Sequence, residues 1–293
     1  MSMEKLGFIG IGLMGAEMVP RFLDAGYEVF IWNRTVEKMA PLAQRGARPC
    51  ASIAELVESA DILLLCLGDT AAVESVVFGS GGISSQGRPS QLLLDLSSID
   101  PGKTRQFAAD LKASAGVAWV DCPVSGGVVG ARQGSLAIMA GGEEAVIERA
   151  RPILECVGQR LTRMGPVGSG QLTKVCNQMI VGCNAMVIAE MIALAQRGGV
   201  DAEKIPQALA GGFADSRPLQ ILGPQMATHC FEPVAWHVRT LLKDLDTALQ
   251  VSREANSPVP MSAAAAQLMR VHASRGNGER DPSTLIQLYC EAE

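Results

Sequence analysis

The sequence predicts an α/β fold, a doubly wound parallel sheet followed by an all-α C-terminal domain. Three observations predict it. From residue 1 to about 162, short apolar runs alternate with helix-period patterns, an order that sets parallel strands side by side with helices on both faces. Gly7-Phe8-Ile9-Gly10-Ile11-Gly12-Leu13-Met14-Gly15 has the form strand, G-x-G-x-x-G, helix. After Gly165-Pro166-Val167-Gly168-Ser169-Gly170 the pattern turns helical and no strand signal follows. The expected domains are residues 1–165 and 166–293.

Strands are expected at residues 5–9, 27–32, 48–50, 62–66, 91–95, 118–122, 136–140 and 159–161. Helices are expected at 16–25, 36–45, 53–58, 71–78, 101–113 and 143–154. The first carries Met18, Val19, Phe22 and Leu23 on one face, and Gly26 stops it. Residues 79–89, rich in Gly and Ser, read as a surface loop. From Gln171 to about Arg197 runs a pattern of Val, Ile, Met and Ala ended by Gly198-Gly199. A helix of that length spans about 40 Å. It is apolar nearly all round, so burial among other elements is expected. Further helices are expected at 202–209, 219–226, 236–255 and 261–274, and the active site in the cleft between the two domains.

The glycine loop has a physical job. Gly10 permits a sharp turn after the strand, Gly12 lets backbone approach a pyrophosphate, and Gly15 lets the helix pack closely on the sheet. The helix start, with Leu13 and Met14, turns unpaired N–H groups and the positive dipole end toward phosphates. One such motif in a chain with 31 glycines is weak by itself; its place between a strand and an amphipathic helix makes it a Rossmann-type dinucleotide site. The next strand ends in Asn33-Arg34-Thr35. An NAD site usually shows an acid there, about 20 residues after the loop, to accept from the ribose 2′-OH. A guanidinium instead grips a 2′-phosphate with two hydrogen bonds. The expected cofactor is NADP(H), with Asn33 and Thr35 adding neutral donors.

Composition narrows the partners. The net charge is −5 and no basic stripe is visible, which argues against a nucleic-acid partner. Runs such as 62–67 and 92–96 are too short to cross a bilayer, and the chain enters its first strand at once, so neither a membrane partner nor a signal peptide is expected. The eight cysteines are scattered without a C-x-x-C, as in a reduced cytoplasmic protein. His229, Cys230 and His237 match no zinc spacing, and no metal is expected.

Three segments could carry chemistry. Asp121-Cys122-Pro123-Val124-Ser125-Gly126-Gly127 follows a strand, where open α/β sheets bind ligands. Ser125 offers a hydroxyl, and Gly126 and Gly127 let N–H groups converge on a carboxylate; a bare tight turn reads the same way. Lys174 stands near the start of the long helix, with Asn177 and Gln178 three and four residues on. A partly desolvated Lys with a lowered pKa could exchange a proton beside a hydride transfer, though a Lys snorkelling from a buried helix gives the same pattern. Lys243-Asp244 interrupts the apolar run 241–245, either to reach a ligand or as a surface ion pair.

Taken together, these segments resemble the β-hydroxyacid dehydrogenase family over essentially the whole length. The resemblance rests on the 7–15 and 121–127 motifs, on Gly168-Ser169-Gly170-Gln171-Leu172-Thr173-Lys174-Val175-Cys176-Asn177, and on Lys243-Asp244-Leu245. It implies Lys174 as the catalytic Lys, Ser125–Gly127 with Asn177 and Gln178 around the substrate, and Leu67, Gly68, Ser98 and Lys243 along the cofactor. Many members have a second Asn where this chain has Gln178, a Pro at Gly68 and a Thr at Ser98.

The expected activity is NADPH-dependent reduction of a short aldehyde-carboxylate to a hydroxy acid, with tartronate semialdehyde (2-hydroxy-3-oxopropionate) the first choice. The alternatives are 3-hydroxyisobutyrate oxidation, glyoxylate or succinic semialdehyde reduction, and a non-catalytic NADP-binding role. Lys174 argues against an imine reductase, which usually lacks that Lys, and the length of the helical domain argues against a 6-phosphogluconate dehydrogenase. A homodimer or homotetramer built through the helical domain is expected.

Overall fold

A computed structural model describes residues 3–290. The chain divides into two compact units, Met1–Lys174 and Val175–Glu293. The first is built on one sheet of β1 (Leu6–Ile9), β2 (Val29–Trp32), β3 (Arg48–Pro49), β4 (Ile62–Leu65), β5 (Leu92–Asp95), β6 (Ala118–Asp121), β7 (Val124–Ser125), β8 (Leu136–Gly141) and β9 (Gly158–Gly165). The strands lie in the order β3-β2-β1-β4-β5-β6-β8-β7, with β9 on β8. From β3 to β6 every pairing is parallel, whereas β8 runs antiparallel to both β6 and β7.

Helices α1 (Gly15–Asp24), α2 (Ala40–Gln44), α3 (Ile53–Ser59), α4 (Thr70–Phe78), α5 (Ile83–Gln86), α6 (Pro101–Ala115), α7 (Gly127–Gln133) and α8 (Glu144–Leu154) complete the unit. The strands are apolar at successive positions because both faces are covered. Phe8, Ile62, Leu64, Leu94 and Val120 join α1 in one core, while Ile9, Leu63, Leu65, Leu93 and Trp119 join α3 and α6 in the other. This is the doubly wound sheet expected from the alternation. Residues 79–89 are not all loop: α5 forms within them because Ile83 finds a fully buried site.

The register places the site. Ile9 pairs with Trp32 and with Leu65, Leu65 with Asp95, and Asp95 with Asp121. The last residues of β2, β1, β4, β5 and β6 therefore form one row, and the segments that follow them emerge along one edge of the sheet. Strand order reverses between β1 and β4, the position at which such sheets bind ligands.

The long helix α9 (Ser169–Arg197) starts in the first unit and continues into the second, which adds α10 (Ile205–Leu209), α11 (Arg217–Thr228), α12 (Val238–Glu254), α13 (Pro260–His272) and a closing 3-10 segment, Pro282–Leu288. No strand occurs among the described residues of this unit. Its core gathers Ala185, Ala189 and Ile192 of α9 with Leu222, Met226, Leu241, Leu245 and Met269. By length and composition alone α9 could cross a bilayer, but its inner face is committed to this core. Its outer face corrects the expectation of burial all round: Ile180, Val187 and Leu194 are 65%, 53% and 73% exposed.

Candidate active site

The glycine loop leaves β1 at the switch point. Gly10 has φ +109°, and a Cβ there would stand 2.3 Å from the Cys66 carbonyl oxygen at the end of β4. A Cβ on Gly15 would stand 2.2 Å from the Gly10 carbonyl oxygen. Both positions are closed to any larger residue by backbone. Gly12 differs: nothing lies within 4 Å of where its Cβ would be. The open space over Gly12, with a helix start that no side chain caps, fits a pyrophosphate laid on the N–H groups of Gly12–Gly15.

At the end of β2, Asn33 Oδ1 accepts from the Ile11 N–H at 2.9 Å, and Asn33 Nδ2 donates to the Thr35 carbonyl at 2.8 Å. Asn33 thus ties the second strand end to the glycine loop. Arg34 and Thr35 are exposed, as is Lys38 in the 3-10 turn that follows, a cation not singled out in the sequence.

Leu67 and Ser98 come to the same edge from β4 and β5. The Leu67 N–H donates to Ser97 Oγ at 3.0 Å, and the Ser97 N–H donates to Asp95 Oδ1 at 3.0 Å. Asp95 is fully buried and its Oδ2 meets no hydrogen-bond partner among the described residues. Burial pushes its carboxyl up to about 7. Burial likewise pushes the Cys66 thiol to about 12 and Cys122 well above its ordinary value, so neither supplies a thiolate nucleophile.

Ser125 lies in β7 opposite Ala137 of β8. Gly126 and Gly127 follow with φ +140° and +65° and open α7. The turn thus has the torsions only glycine adopts readily, and it directs Gly127 into α7, a helix absent from those expected from the sequence. Arg132 of α7 makes a two-pronged ion pair to Glu17 of α1, at 3.0 and 2.7 Å, which ties this turn to the helix of the glycine loop.

Lys174 is the last residue of the first unit, one turn into α9. The start of α9 is held by Asp121, whose Oδ1 accepts from the Gly168 N–H at 2.7 Å and whose Oδ2 accepts from the Gln171 N–H at 2.9 Å. Burial raises the Asp121 carboxyl, and the backbone donors pull it part of the way back.

In the second unit, Asn177 Nδ2 donates to Gln178 Oε1 at 2.7 Å and Gln178 Nε2 donates to Asp244 Oδ2 at 2.5 Å. Lys243 Nζ lies 3.2 Å from Asp244 Oδ1. Asp244 is buried, so Lys243-Asp244 is more than a surface pair: its carboxylate receives the amide of Gln178. Sequence reasoning missed Asp244 as a hub and missed the polar work of Asp121 and Gln171, whose partners are far away in sequence.

Residues 5–165 match the family model described as the NAD binding domain of 6-phosphogluconate dehydrogenase, and residues 168–289 match NAD-binding of NADP-dependent 3-hydroxyisobutyrate dehydrogenase. A 2-hydroxy-3-oxopropionate reductase of Escherichia coli (strain K12) is 37% identical over 284 residues, covering 97% of this chain and 96% of the relative. An NAD-dependent L-serine dehydrogenase of Pseudomonas aeruginosa is 30% identical, with 98% of each chain covered. Among solved structures, a Mycobacterium tuberculosis 3-hydroxyisobutyrate dehydrogenase with L-serine has TM-score 0.87 and 28% identity, covering 98% of this chain and 99% of that one. With a dinucleotide-binding edge and both halves matched, the chain belongs to the β-hydroxyacid dehydrogenase family, whose members are nicotinamide-dependent oxidoreductases.

Proposed function

We propose that this enzyme is an NADP(H)-dependent reductase of short aldehyde-carboxylates, with tartronate semialdehyde as its substrate and the corresponding hydroxy acid as product. The observation that carries the reading is the fixing of α9, with Lys174 in its second turn, to Asp121 at the end of β6, the strand that leads into Ser125–Gly127. An amine and a carboxylate-binding turn are thus both anchored at one strand end.

When bound, the dinucleotide supplies a hydride to the carbonyl carbon, or takes one back in the reverse direction. Ser125 and the N–H groups of Gly126 and Gly127 hold the substrate carboxylate. Lys174 gives a proton from its ammonium to the carbonyl oxygen as the hydride arrives and is reprotonated from solvent, which balances the reduction. Arg34 holds the 2′-phosphate, and the NADP preference rests on it: no carboxylate ends β2, and Asn33 is engaged with Ile11 and Thr35.

Lys174→Ala tests the reading. Loss of the general acid removes about 10²–10⁴-fold of turnover, with NADPH binding retained. Full activity in that variant contradicts it. The proposal extends to self-association. Ile180, Val187 and Leu194 recur every seven residues on the exposed line of α9, a spacing suited to packing against the same helix of a second copy.

A further inference from the structure

The first turn of α9 carries hydrogen bonds that chain geometry does not require. The Gln171 side chain, fully buried, donates from Nε2 to the Ser97 carbonyl at 2.8 Å and accepts at Oε1 from the Ile99 N–H at 3.1 Å. The two bonds bracket Ser98. The Gln171 backbone N–H donates to Asp121 Oδ2 at 2.9 Å, beside the bond from the Gly168 N–H to Oδ1. A Cβ on Gly170 would stand 2.3 Å from the Met139 carbonyl oxygen and 2.7 Å from that of Asp121, so the turn is seated directly on the backbone of β8 and the end of β6. Ser97 in turn accepts from the Leu67 N–H. One chain of bonds therefore runs from the end of β4 through the segment after β5 and Gln171 to Asp121 at the end of β6, all inside the first unit.

A buried amide with both ends satisfied by two backbone groups has one orientation. We infer that Gln171, with Asp121, is a positioning residue: it locks the Lys174 turn of α9 to the Ser97–Ile99 segment after β5, which the proposed function sets along the cofactor, so that the proton donor and the hydride donor would be held in a fixed relation. Misplacing a proton donor by about 1 Å is enough to cost on the order of 10²-fold in rate. The inference rests on the assignment of Lys174 as proton donor.

Two variants test it: Gln171→Met, which fills the same space without either hydrogen bond, and Gln171→Glu, which keeps the acceptor for the Ile99 N–H. Sites are counted by fluorescence titration with NADPH, and kcat is expressed per NADPH-binding site. Expected for Gln171→Met are a fall in kcat of at least tenfold, a KM for the aldehyde within about threefold, and partial recovery of kcat in Gln171→Glu. A kcat per site within twofold of wild type in Gln171→Met overturns the proposal, since a merely structural role lowers the number of sites and not their turnover. A second readout needs no substrate. Acetylation of Lys174 by acetic anhydride across pH, resolved by peptide mass spectrometry against Lys103 of α6, is expected to change rate at least threefold in Gln171→Met. An unchanged Lys174 profile overturns the proposal even where no aldehyde is turned over, whereas a changed profile without turnover supports the clamp and removes only the substrate assignment.

Discussion

Asn33 holds the Ile11 N–H through Oδ1 at 2.9 Å, so the end of β2 braces the glycine loop without a carboxylate. An aspartate at this place could make the same bond but would face a 2′-phosphate with negative charge. Asn33→Asp is therefore expected to keep the fold, raise the KM for NADPH at least tenfold and narrow the gap to NADH. Steady-state kinetics with both nucleotides checks it.

Arg34 carries the complementary prediction. A guanidinium–phosphate pair is worth about 1.5–3 kcal/mol, so Arg34→Ala is expected to raise the KM for NADPH about ten- to hundredfold and to leave the KM for NADH nearly unchanged. An equal effect on both nucleotides contradicts the placement of the 2′-phosphate.

The buried Asp244 gives a stability prediction within the second unit. Its carboxylate takes the Gln178 amide and lies against Lys243. Asp244→Ala leaves that amide without its acceptor and is expected to cost about 2–3 kcal/mol, read as a lower denaturation midpoint in urea.

Two buried groups set opposite pH slopes. Asp95 is raised to about 7 by burial, so the folded state holds an extra proton between roughly pH 4 and 7 and stability falls as pH rises through that window. His272, lowered to about 4 by burial and by Arg275 and Arg280, works the other way: the unfolded state takes the extra proton, and stability is lost as pH falls from about 6.5 toward 4. Asp95→Asn is expected to steepen the acid loss, and His272→Gln to leave stability rising toward pH 5. Urea midpoints at pH 5, 6 and 7 check both signs.

Self-association through α9 predicts that Val187→Glu yields a smaller species by light scattering while the circular dichroism spectrum is kept. A wild-type protein that is monomeric at micromolar concentration contradicts it.

Much of this architecture was legible locally. The strands β1, β4 and β5 read as strands because runs such as Ile62–Leu65 are apolar on both faces, and the glycine loop because strand, loop and helix follow one another in the chain. What was not legible has its partners far away in sequence. Gln171 reaches Ser97 and Ile99, and Gln178 reaches Asp244; no spacing rule marks a glutamine whose partners lie on another element. Helix α7 was missed because Gly127 and Gly130 lower its intrinsic helix preference, and packing supplies what propensity does not, with Gly130 and Ala131 buried. The exposed line of α9 was missed because composition counts apolar residues without saying which of them find a neighbour.

The central assignment meets its most direct test in a single assay: oxidation of NADPH and NADH by the purified protein with tartronate semialdehyde, methylmalonate semialdehyde, succinic semialdehyde and glyoxylate. The expected result is rapid turnover of tartronate semialdehyde with NADPH clearly preferred. NADPH binding with no turnover of any of the four, or turnover with NADH preferred, contradicts the proposed reductase.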